Sequence, residues 1–417
     1  CDGALILTPY IENGDYEQAK SLSVVDPSLF AGVESHSGYI TVNKTNKWHL
    51  FFWYFPAKGV PLDSTPLVVW LQGGPGYSSL FGLFTEIGPI QINEDGTVEK
   101  MPITWGSDYS LLFIDNPVGT GFSFSESDQY VTDEDMVGEC LLSFIQQFLQ
   151  VFPELRAAPL FISGESYAGK YIPAFGHYIH HNNDVMPINL KGLAIGNGWI
   201  DPPTLTHYSE FLLQIGLIEP LEAKTMEGWE EAARNAMEEQ DWDKVEKMYT
   251  LMDSMFVNVN YYNYLNDPDS PENDKFVSFL NKPNIQTALH VKRMVFVDFT
   301  ESVYDQIYSD MYQTVKPWLE ELLEYYGVLC YNGQLDVIVA YTLSVHTYRS
   351  LNWSGQRGYL NAIREPLFDE TNETKHIRKI NSFVKEYGNF MDVMVRNAGH
   401  MVPMDQPRAL HYIISLI

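Results

Sequence analysis

The chain has few cysteines, an excess of acidic over basic residues, and no long apolar run. Only three cysteines occur in 417 residues, Cys1, Cys140 and Cys330, so at most one pair can form and a disulfide framework is excluded. Lys and Arg number 26 against 54 Asp and Glu, and the resulting formal charge of −28 would repel a phosphate backbone. The richest apolar run, residues 50–55, is far shorter than the roughly 18 residues of a membrane span. We therefore expect a soluble protein with neither nucleic acid nor membrane as partner.

The composition itself is that of a folded globular protein. Hydrophobic residues make up 45% of the chain, aromatic residues 14% and charged residues 19%, whereas disordered chains are poor in large apolar side chains. The length fits two to three average domains, but an α/β fold can hold a core of this size in one domain. One large domain with an insertion is therefore an open alternative.

Three acceptor sequences for N-glycosylation bear on the compartment. Asn43, Asn352 and Asn372 each stand two residues before a Ser or Thr with no intervening proline, which is typical of secreted surface loops. The low cysteine count alone would suggest a reducing compartment. The first residue is Cys1 rather than Met, which suggests a processed chain whose signal peptide is missing. These residues leave the compartment undecided.

Strand and helix patterns alternate along most of the chain. Residues 37–55 read as a β-hairpin, because two β-rich runs flank a polar turn. Short, almost continuous apolar runs predict buried strands at 67–71, 110–114, 160–163, 190–195, 328–331 and 392–395. Apolar residues at a period of 3.6 predict helices at 133–152, 170–181, 314–326, 337–351 and 406–417. The alternation predicts an α/β fold with a doubly wound, mostly parallel sheet.

One stretch interrupts this alternation. Between 201 and 297 the strand signal stops and acidic helical segments appear, including 219–240 and 242–256. We interpret 1–200 and 298–417 as the core and 201–297 as a helical cap inserted into it. Residues 266–274 superficially resemble a calcium loop but lack its sixth-position Gly and twelfth-position Glu, so we expect a solvated acidic loop there.

Ser166 lies in a pattern that is typical of a nucleophilic serine. The segment Gly164-Glu165-Ser166-Tyr167-Ala168-Gly169 follows a predicted strand and precedes a predicted helix, as a nucleophile elbow requires. The residues two before and two after the nucleophile must be small because the turn is tight, and Gly164 and Ala168 satisfy this. The alternative, an ordinary Gly-Ser loop, does not account for the flanking strand and helix.

A serine hydroxyl needs a histidine base and a carboxylate that orients that histidine. In α/β-hydrolases the chain order is Ser, acid, His, each placed after a sheet strand. Asp336 follows the predicted strand 328–331, and His400 follows the predicted strand 392–395. We therefore expect Ser166, Asp336 and His400 to form a catalytic triad.

Other histidines are weaker candidates. His177, His180 and His181 lie at about one-turn spacing on the helix after Ser166 and could suggest a metal-binding pair, but no acidic or third ligand lies near them in sequence. We interpret them as surface or packed histidines and expect neither a metal nor a cofactor.

The glycine-rich segment 72–76 follows the predicted strand 67–71. A hydrolase of this architecture takes one oxyanion-hole amide from that position, and glycine lets the backbone approach the developing oxyanion. A tight turn without a ligand is the alternative. A phosphate cradle is excluded because no Gly-Lys-Ser/Thr follows.

Together these motifs resemble the serine carboxypeptidases, and among them the vitellogenic carboxypeptidase-like group most closely. The similarity covers most of the chain and rests on five motifs in family order, at 70–76, 115–123, 164–169, 332–336 and 399–401. It implies an α/β-hydrolase fold with a helical cap, removal of the C-terminal residue of peptides and proteins through an acyl-enzyme, an acidic working pH, and a secretory, lysosomal or vacuolar location. The substrate partner would be a peptide with a free C-terminal carboxylate.

The resemblance also implies individual roles around the triad. The amides of Gly74 and Tyr167 would form the oxyanion hole, and Trp70 and Met401 would line a neighbouring pocket. The substrate carboxylate would be held by Glu165, by the amide of Gly73 and by the side chain of Gln72, with Glu86 paired to Glu165. Two such carboxyl groups cannot both ionise cheaply, so we expect them to share a proton.

The chain departs from the family pattern in two places. Family members more often have Asn where this chain has Gln72, although vitellogenic-type sequences resemble it here. They also usually carry cap disulfides, which the absence of cysteine between Cys140 and Cys330 excludes.

Two other functions keep the same fold: an ester hydrolase or acyltransferase, which has no use for the glutamate pair, and a protective or storage protein with an idle triad. Oligomeric state and residue preference are not predicted.

Overall fold

The computed structural model describes residues 3–127, 129–184, 186–256, 258–268, 274–368 and 379–417. Cys1, the sequon at Asn372 and most of the acidic loop 266–274 therefore lie outside the described residues. In the part of the chain that is described, no helix is both long enough and apolar enough to cross a bilayer.

The strands fall into one large sheet and one small hairpin. They are β1 (Val24–Val25), β2 (Ser35–Asn43), β3 (Trp48–Phe55), β4 (Leu67–Leu71), β5 (Ile90–Ile92), β6 (Val98–Lys100), β7 (Ser110–Ile114), β8 (Phe124–Ser125), β9 (Leu160–Glu165), β10 (Leu190–Gly196), β11 (Gly327–Gly333), β12 (Glu365–Phe368), β13 (Ile380–Tyr387) and β14 (Phe390–Val395). Strands β5 and β6 form the hairpin.

The large sheet is parallel in its centre and antiparallel at both edges. Its order is β1-β2-β3-β7-β4-β9-β10-β11-β14-β13-β12, with β8 beside β3. Strands β7, β4, β9, β10, β11 and β14 run parallel, so their carboxyl ends meet at one edge of the sheet. The predicted α/β class with a mostly parallel sheet is confirmed. The antiparallel edge formed by β12 and β13 is an element that the sequence patterns did not predict.

The helices cover both faces of the sheet. They are α1 (Thr8–Glu12), α2 (Tyr16–Leu22), α3 (Leu80–Thr85), α4 (Glu134–Val151), α5 (Ala168–His181), α6 (Pro202–Leu205), α7 (Tyr208–Gln214), α8 (Pro220–Glu239), α9 (Trp242–Asp253), α10 (Lys275–Leu280), α11 (Pro283–Ala288), α12 (Glu301–Met311), α13 (Lys316–Leu322), α14 (Tyr341–Ser350), α15 (Gln356–Asn361), α16 (Val402–Asp405) and α17 (Pro407–Ile414).

Strand β3 illustrates how the sheet separates two hydrophobic cores. Every residue of β3 is buried, and successive side chains point to opposite faces. Phe52 and Tyr54 pack on the side of α4, where the Phe148 ring lies 5.5 and 5.4 Å from theirs. Phe51 and Trp53 belong to the core on the other face. Burial on both faces explains why the central strands read as continuous apolar runs.

The range 201–297 contains the helices α6 to α11, and its described residues contain no strand. The helices predicted at 219–240 and 242–256 are found as α8 and α9. Helix α8 begins at Pro220 with a capping box, in which Glu219 and Glu222 each bond the other's backbone N–H. The division into a core and a cap is not tested by these observations and stays a prediction.

Candidate active site

Ser166 occupies the sharp turn between β9 and α5. Its φ angle is 63°, in the left-handed region that non-glycine residues rarely adopt. The turn is held because the Ser166 N–H donates to the Gly196 carbonyl at 2.9 Å, while the Ser166 carbonyl accepts from Gly169 and Trp199, each at 2.9 Å. The side chain is thereby presented beyond the carboxyl edge of the sheet, as the elbow pattern predicts.

Asp336 follows β11 and is fully buried, yet four donors surround its carboxylate. The Oδ2 atom accepts from His400 Nδ1 at 2.8 Å, from Asn197 Nδ2 at 2.6 Å and from the Val339 N–H at 3.2 Å. The Oδ1 atom accepts from the Ile338 N–H at 2.9 Å. Such a set of donors replaces the water that a buried carboxylate has lost.

His400 follows β14 and is 3% exposed. The loop that carries it is held by the His400 N–H, which donates to the Tyr262 carbonyl at 2.6 Å, and by the Gly399 N–H, which donates to Asp405 Oδ2 at 2.7 Å. A Cβ atom at Gly399 would overlap the Tyr262 carbonyl oxygen, so only glycine allows this close approach. Since Nδ1 bonds Asp336, Nε2 is the ring atom left to exchange a proton with a serine.

Two residues that support this arrangement were missed by the sequence analysis. Asn197 follows β10, and its Oδ1 accepts from the Gly333 N–H at 3.3 Å, which turns Nδ2 towards Asp336. Asp405 on α16 holds the histidine loop through Gly399. A polar residue just past a parallel strand was the signal used for Asp336 and His400, and the same signal marks Asn197.

The glycine-rich segment after β4 packs directly against the serine turn. A Cβ atom at Gly73 would lie 2.5 Å from the Tyr167 nitrogen, so only glycine permits this contact. Within the described residues, no backbone carbonyl or side chain accepts the N–H groups of Gly73, Gly74 or Tyr167. Gly74 and Tyr167 border the same cavity as Ser166. The amides of Gly74 and Tyr167 are therefore available to an oxygen atom of a bound molecule.

Glu86 and Glu165 are brought together below the serine by one amide. Gln72 Nε2 donates to Glu165 Oε1 at 3.1 Å and to Glu86 Oε1 at 3.3 Å. The amide cannot flip, because the fully buried indole of Trp70 donates to Gln72 Oε1 at 2.9 Å. Glu86 and Glu165 are 3% and 1% exposed, and the second oxygen of each has no hydrogen-bond partner within the described residues.

This environment favours the protonated form of the two glutamates. Burial raises the pKa of Glu86 to about 7, although hydrogen bonds from Glu165 and Gln72 oppose the change. Burial and then the neighbouring charge of Glu86 raise the pKa of Glu165 well above its ordinary value. The pair is therefore protonated in acid and takes on charge towards neutral pH.

A cavity of about 300 Å³ opens beside Ser166 and Tyr167. Side chains from α7, α9 and α12 form much of its wall, and they are mostly aromatic or apolar: Tyr208, Tyr249, Met252, Tyr304 and Met311. Asp253 is the one acidic side chain among the described residues that line it, and burial raises the pKa of that carboxyl. Trp70 and Met401 do not line this cavity, so their predicted contact with substrate stays a prediction.

The other predicted residues that the structure describes do not line this cavity. Asn43 ends β2 and is half-buried, and Asn352 is exposed after α14, whereas Asn372 is outside the described residues. Their glycosylation stays a prediction. Cys140 in α4 and Cys330 in β11 are buried and unpaired, as expected for small apolar core residues.

Comparison with known proteins shows the family of the chain. Residues 27–417 match the family model described as serine carboxypeptidase. The chain is 42% identical to the probable serine carboxypeptidase CPVL of Mus musculus, and the match covers 97% of this chain and 86% of that protein. It is 40% identical to the vitellogenic carboxypeptidase of Aedes aegypti, with 97% and 87% of the two chains covered.

A solved structure is similar over almost the whole length. The prohormone-processing carboxypeptidase Kex1(delta)p of Saccharomyces cerevisiae superposes with a TM-score of 0.86 at 26% identity, and the match covers 95% of each chain.

Proposed function

This chain belongs to the serine carboxypeptidase family and is a serine-type peptide hydrolase, and from that premise we propose that Ser166, His400 and Asp336 carry out its chemistry. His400 takes the proton of the Ser166 hydroxyl through Nε2, and the serine oxygen attacks the last peptide carbonyl of the substrate. Asp336 accepts a hydrogen bond of 2.8 Å from the Nδ1–H group of His400, keeps the imidazole in the required tautomer and stabilises the cation that forms.

The negative charge that develops on the attacked carbonyl oxygen would be received by the amides of Gly74 and Tyr167. Both amides lack an internal acceptor within the described residues and border the cavity. Donors that are already in place cost no reorganisation when the charge appears, and removal of one such donor typically costs about 10²–10³ in rate. The His400 cation then protonates the leaving amino group, and water attacks the resulting acyl-enzyme by the same route.

The glutamate pair is the observation that carries a carboxypeptidase function for this site. Glu165 is the residue directly before the nucleophile, and an amide held by Trp70 joins it to Glu86. In their protonated form these carboxyl groups donate hydrogen bonds to a terminal carboxylate, with the Gly73 amide as a further donor. An ester hydrolase has no use for such a pair, and no observation favours an idle triad.

The same pair predicts an acidic working pH. Since burial raises the pKa of Glu86 to about 7, rising pH places charge on the pair and converts attraction for the substrate carboxylate into repulsion. An acidic compartment of the secretory pathway, such as a lysosome or vacuole, or secretion into an acidic fluid, suits this dependence. Glycans at Asn43, Asn352 and Asn372 would accompany such a route.

The cavity beside Ser166 would receive the side chain on the acyl side of the scissile bond. Its aromatic and apolar lining fits large apolar side chains. Because α7 and α9 lie in 201–297, we infer that the predicted cap supplies one wall of this pocket.

A pair of matched substrates tests the proposal. An N-blocked dipeptide with a free C-terminus should lose kcat/KM as pH rises, chiefly through KM, because ground-state binding of the carboxylate is what the charge opposes. The same dipeptide with a C-terminal amide should not lose activity over this range, because it has no carboxylate to repel.

Ser166→Ala should lower the turnover of both substrates by roughly 10⁶ and abolish labelling by a fluorophosphonate.

The opposite crossover would contradict the carboxyl-pair assignment, with the amide losing activity at high pH and the free acid retaining it. Hydrolysis of a blocked ester without hydrolysis of the free acid would favour the ester hydrolase. Continued labelling of Ser166→Ala would place the nucleophile elsewhere.

A further inference from the structure

Two histidines and a glutamate lie together on the partly exposed surface of helices α5 and α13, away from the triad. His177 and His181 are four residues apart on α5, so they lie one above the other on the same face. Glu321 on α13 lies between them. Its Oε2 atom is 2.7 Å from His177 Nδ1, and its Oε1 atom is 2.8 Å from His181 Nε2.

Glu321 supplies the acidic side chain that is missing near the histidines in sequence. It lies 140 and 144 positions away in the chain, and only the packing of α13 against α5 brings it there. Within the described residues, these three side chains are the one group whose potential metal-ligand atoms all lie within 4.8 Å of one another.

The spacing of these atoms is close to that of a metal centre. Zinc binds imidazole nitrogen and carboxylate oxygen at about 2.0–2.2 Å, so ligand atoms in a tetrahedral site stand roughly 3.3 Å apart. The His–Glu separations of 2.7 and 2.8 Å, which involve the two different oxygens of Glu321, would have to widen by about 0.5 Å. All the ligand atoms lie within 4.8 Å of one another, so the wider separations would have to close by at most about 1.5 Å, a change within reach of side-chain rotation. Two imidazoles and one carboxylate leave a fourth position for water.

The ligand side chains are held in place and are open to solvent. All three residues lie on helices, and the His177 ring stacks on Trp318 of α13 with centroids 5.3 Å apart and planes 22° apart. The side chains of His177, His181 and Glu321 are 24%, 50% and 32% exposed, so an ion can enter without opening the core.

We propose that His177, His181 and Glu321 form a binding site for a divalent transition-metal ion of the zinc type. Imidazole and carboxylate ligands suit such ions, whereas calcium and magnesium prefer all-oxygen sets. The bound ion links the last turn of α5 to α13. Helix α5 begins just after Ser166 and rises about 1.5 Å per residue, which places the site roughly 20 Å from the nucleophile. The metal therefore stabilises the fold and takes no part in peptide hydrolysis.

Zinc titration of the full chain at about pH 7.5, after removal of metals with a chelator, tests this proposal. The wild-type chain should bind one zinc ion by calorimetry and keep it through dialysis. His181→Ala and Glu321→Gln should each bind zinc about 100-fold more weakly or worse, since even an outer-shell partner of a metal is typically worth about 10–100-fold in affinity.

The neighbouring histidine supplies a matched control. His180 lies on the same turn of α5, but its Nδ1 atom bonds the Tyr326 hydroxyl at 2.9 Å rather than Glu321. His180→Ala should therefore bind zinc as the wild type does. Zinc should also raise the melting temperature of the wild type and of His180→Ala, but not that of His181→Ala.

Peptide hydrolysis measured without zinc shows whether each variant is folded, because none of these residues contacts the triad. The rate of hydrolysis should be equal in all variants. Visible absorption of the cobalt-substituted protein provides a second readout of the ligand set. The proposal is overturned if active wild-type protein keeps no more zinc than the His177→Ala/His181→Ala double variant. Equal loss of zinc in His180→Ala and His181→Ala would likewise overturn it.

Discussion

Asp336 and the Glu86–Glu165 pair are carboxyl groups at the same edge of the sheet, and all are almost completely buried. Their surroundings differ in the number of donors. Asp336 receives four hydrogen bonds, two of them from backbone N–H groups, whereas within the described residues the Gln72 amide is the one donor from outside the pair that serves both glutamates. The donors around Asp336 can solvate a negative charge, whereas burial with few donors makes a negative charge costly on Glu86 and Glu165. The two sites therefore differ in the number of hydrogen-bond donors at the carboxyl groups and not in their depth in the protein.

Removal of the negative charge at Asp336 should have the largest effect on activity. Asp336→Asn keeps the size of the side chain but presents an amide to His400 Nδ1, which favours the wrong tautomer. We expect kcat to fall on the order of 10⁴-fold, the scale known for this change in other serine proteases, with the fold retained. Single-turnover kinetics and near-ultraviolet circular dichroism would measure the two quantities. A loss below tenfold would mean that Asp336 does not orient the base.

The glutamate pair should make the protein less stable as pH rises. The pKa of Glu86 is raised by burial from 4.5 to about 7, so the folded state binds more protons than the unfolded state between these values. The free energy of unfolding therefore falls as pH increases through this window, by on the order of 3 kcal/mol for such a shift. Asp115 and Glu134, whose pKa values burial raises to about 7 and about 8, add to the same trend.

Denaturant unfolding between about pH 4.5 and 8 measures this dependence. Glu86→Gln cannot ionise and should flatten part of the slope, while Glu231→Gln, at an exposed position on α8, should leave it unchanged. A wild-type protein that gains stability over this range would contradict the assignment of neutral, buried carboxyl groups.

Asn197 tests whether the donors around Asp336 matter individually. Asn197→Ala removes the hydrogen bond of 2.6 Å to Asp336 Oδ2. A hydrogen bond to a charged group is typically worth about 1.5–3 kcal/mol, so we expect kcat to fall about 10–100-fold with little change in KM. A rise in KM at constant kcat would instead indicate that Asn197 contacts the substrate.

Glu165→Gln tests whether ionisation of the glutamate pair controls substrate binding. The new amide still donates a hydrogen bond but cannot become charged, so KM for a free-acid dipeptide should lose most of its rise towards neutral pH. At acidic pH KM should worsen by about 1–2 kcal/mol, or roughly 5–30-fold, because one hydrogen bond is altered. Glu86→Gln is the matched variant on the other side of the Gln72 amide. An unaltered KM–pH profile in both variants would show that the glutamate pair does not bind the substrate carboxylate.

The central sheet could be predicted because its strands are buried on both faces. The strands expected at 67–71 and 110–114 are found with the same bounds. Strand β13 escaped prediction because it lies near the sheet edge, where half-buried and exposed residues leave no long apolar run. Asp336 and His400 could be placed in sequence because each follows a parallel strand. The contact of Glu321 with two histidines could not, since it depends on how α13 packs against α5.

The side chains of Trp70 and Gln72 act together on the glutamate pair. The Gln72 side chain is just long enough to accept from the Trp70 indole at one end and to donate to two carboxyl groups at the other. An Asn at this position would be shorter by one methylene group, so it would have to release either the indole or the glutamates. Loss of the indole would in turn free the amide to rotate and present its oxygen to the carboxyl groups. Substitutions at these two positions should therefore be strongly non-additive.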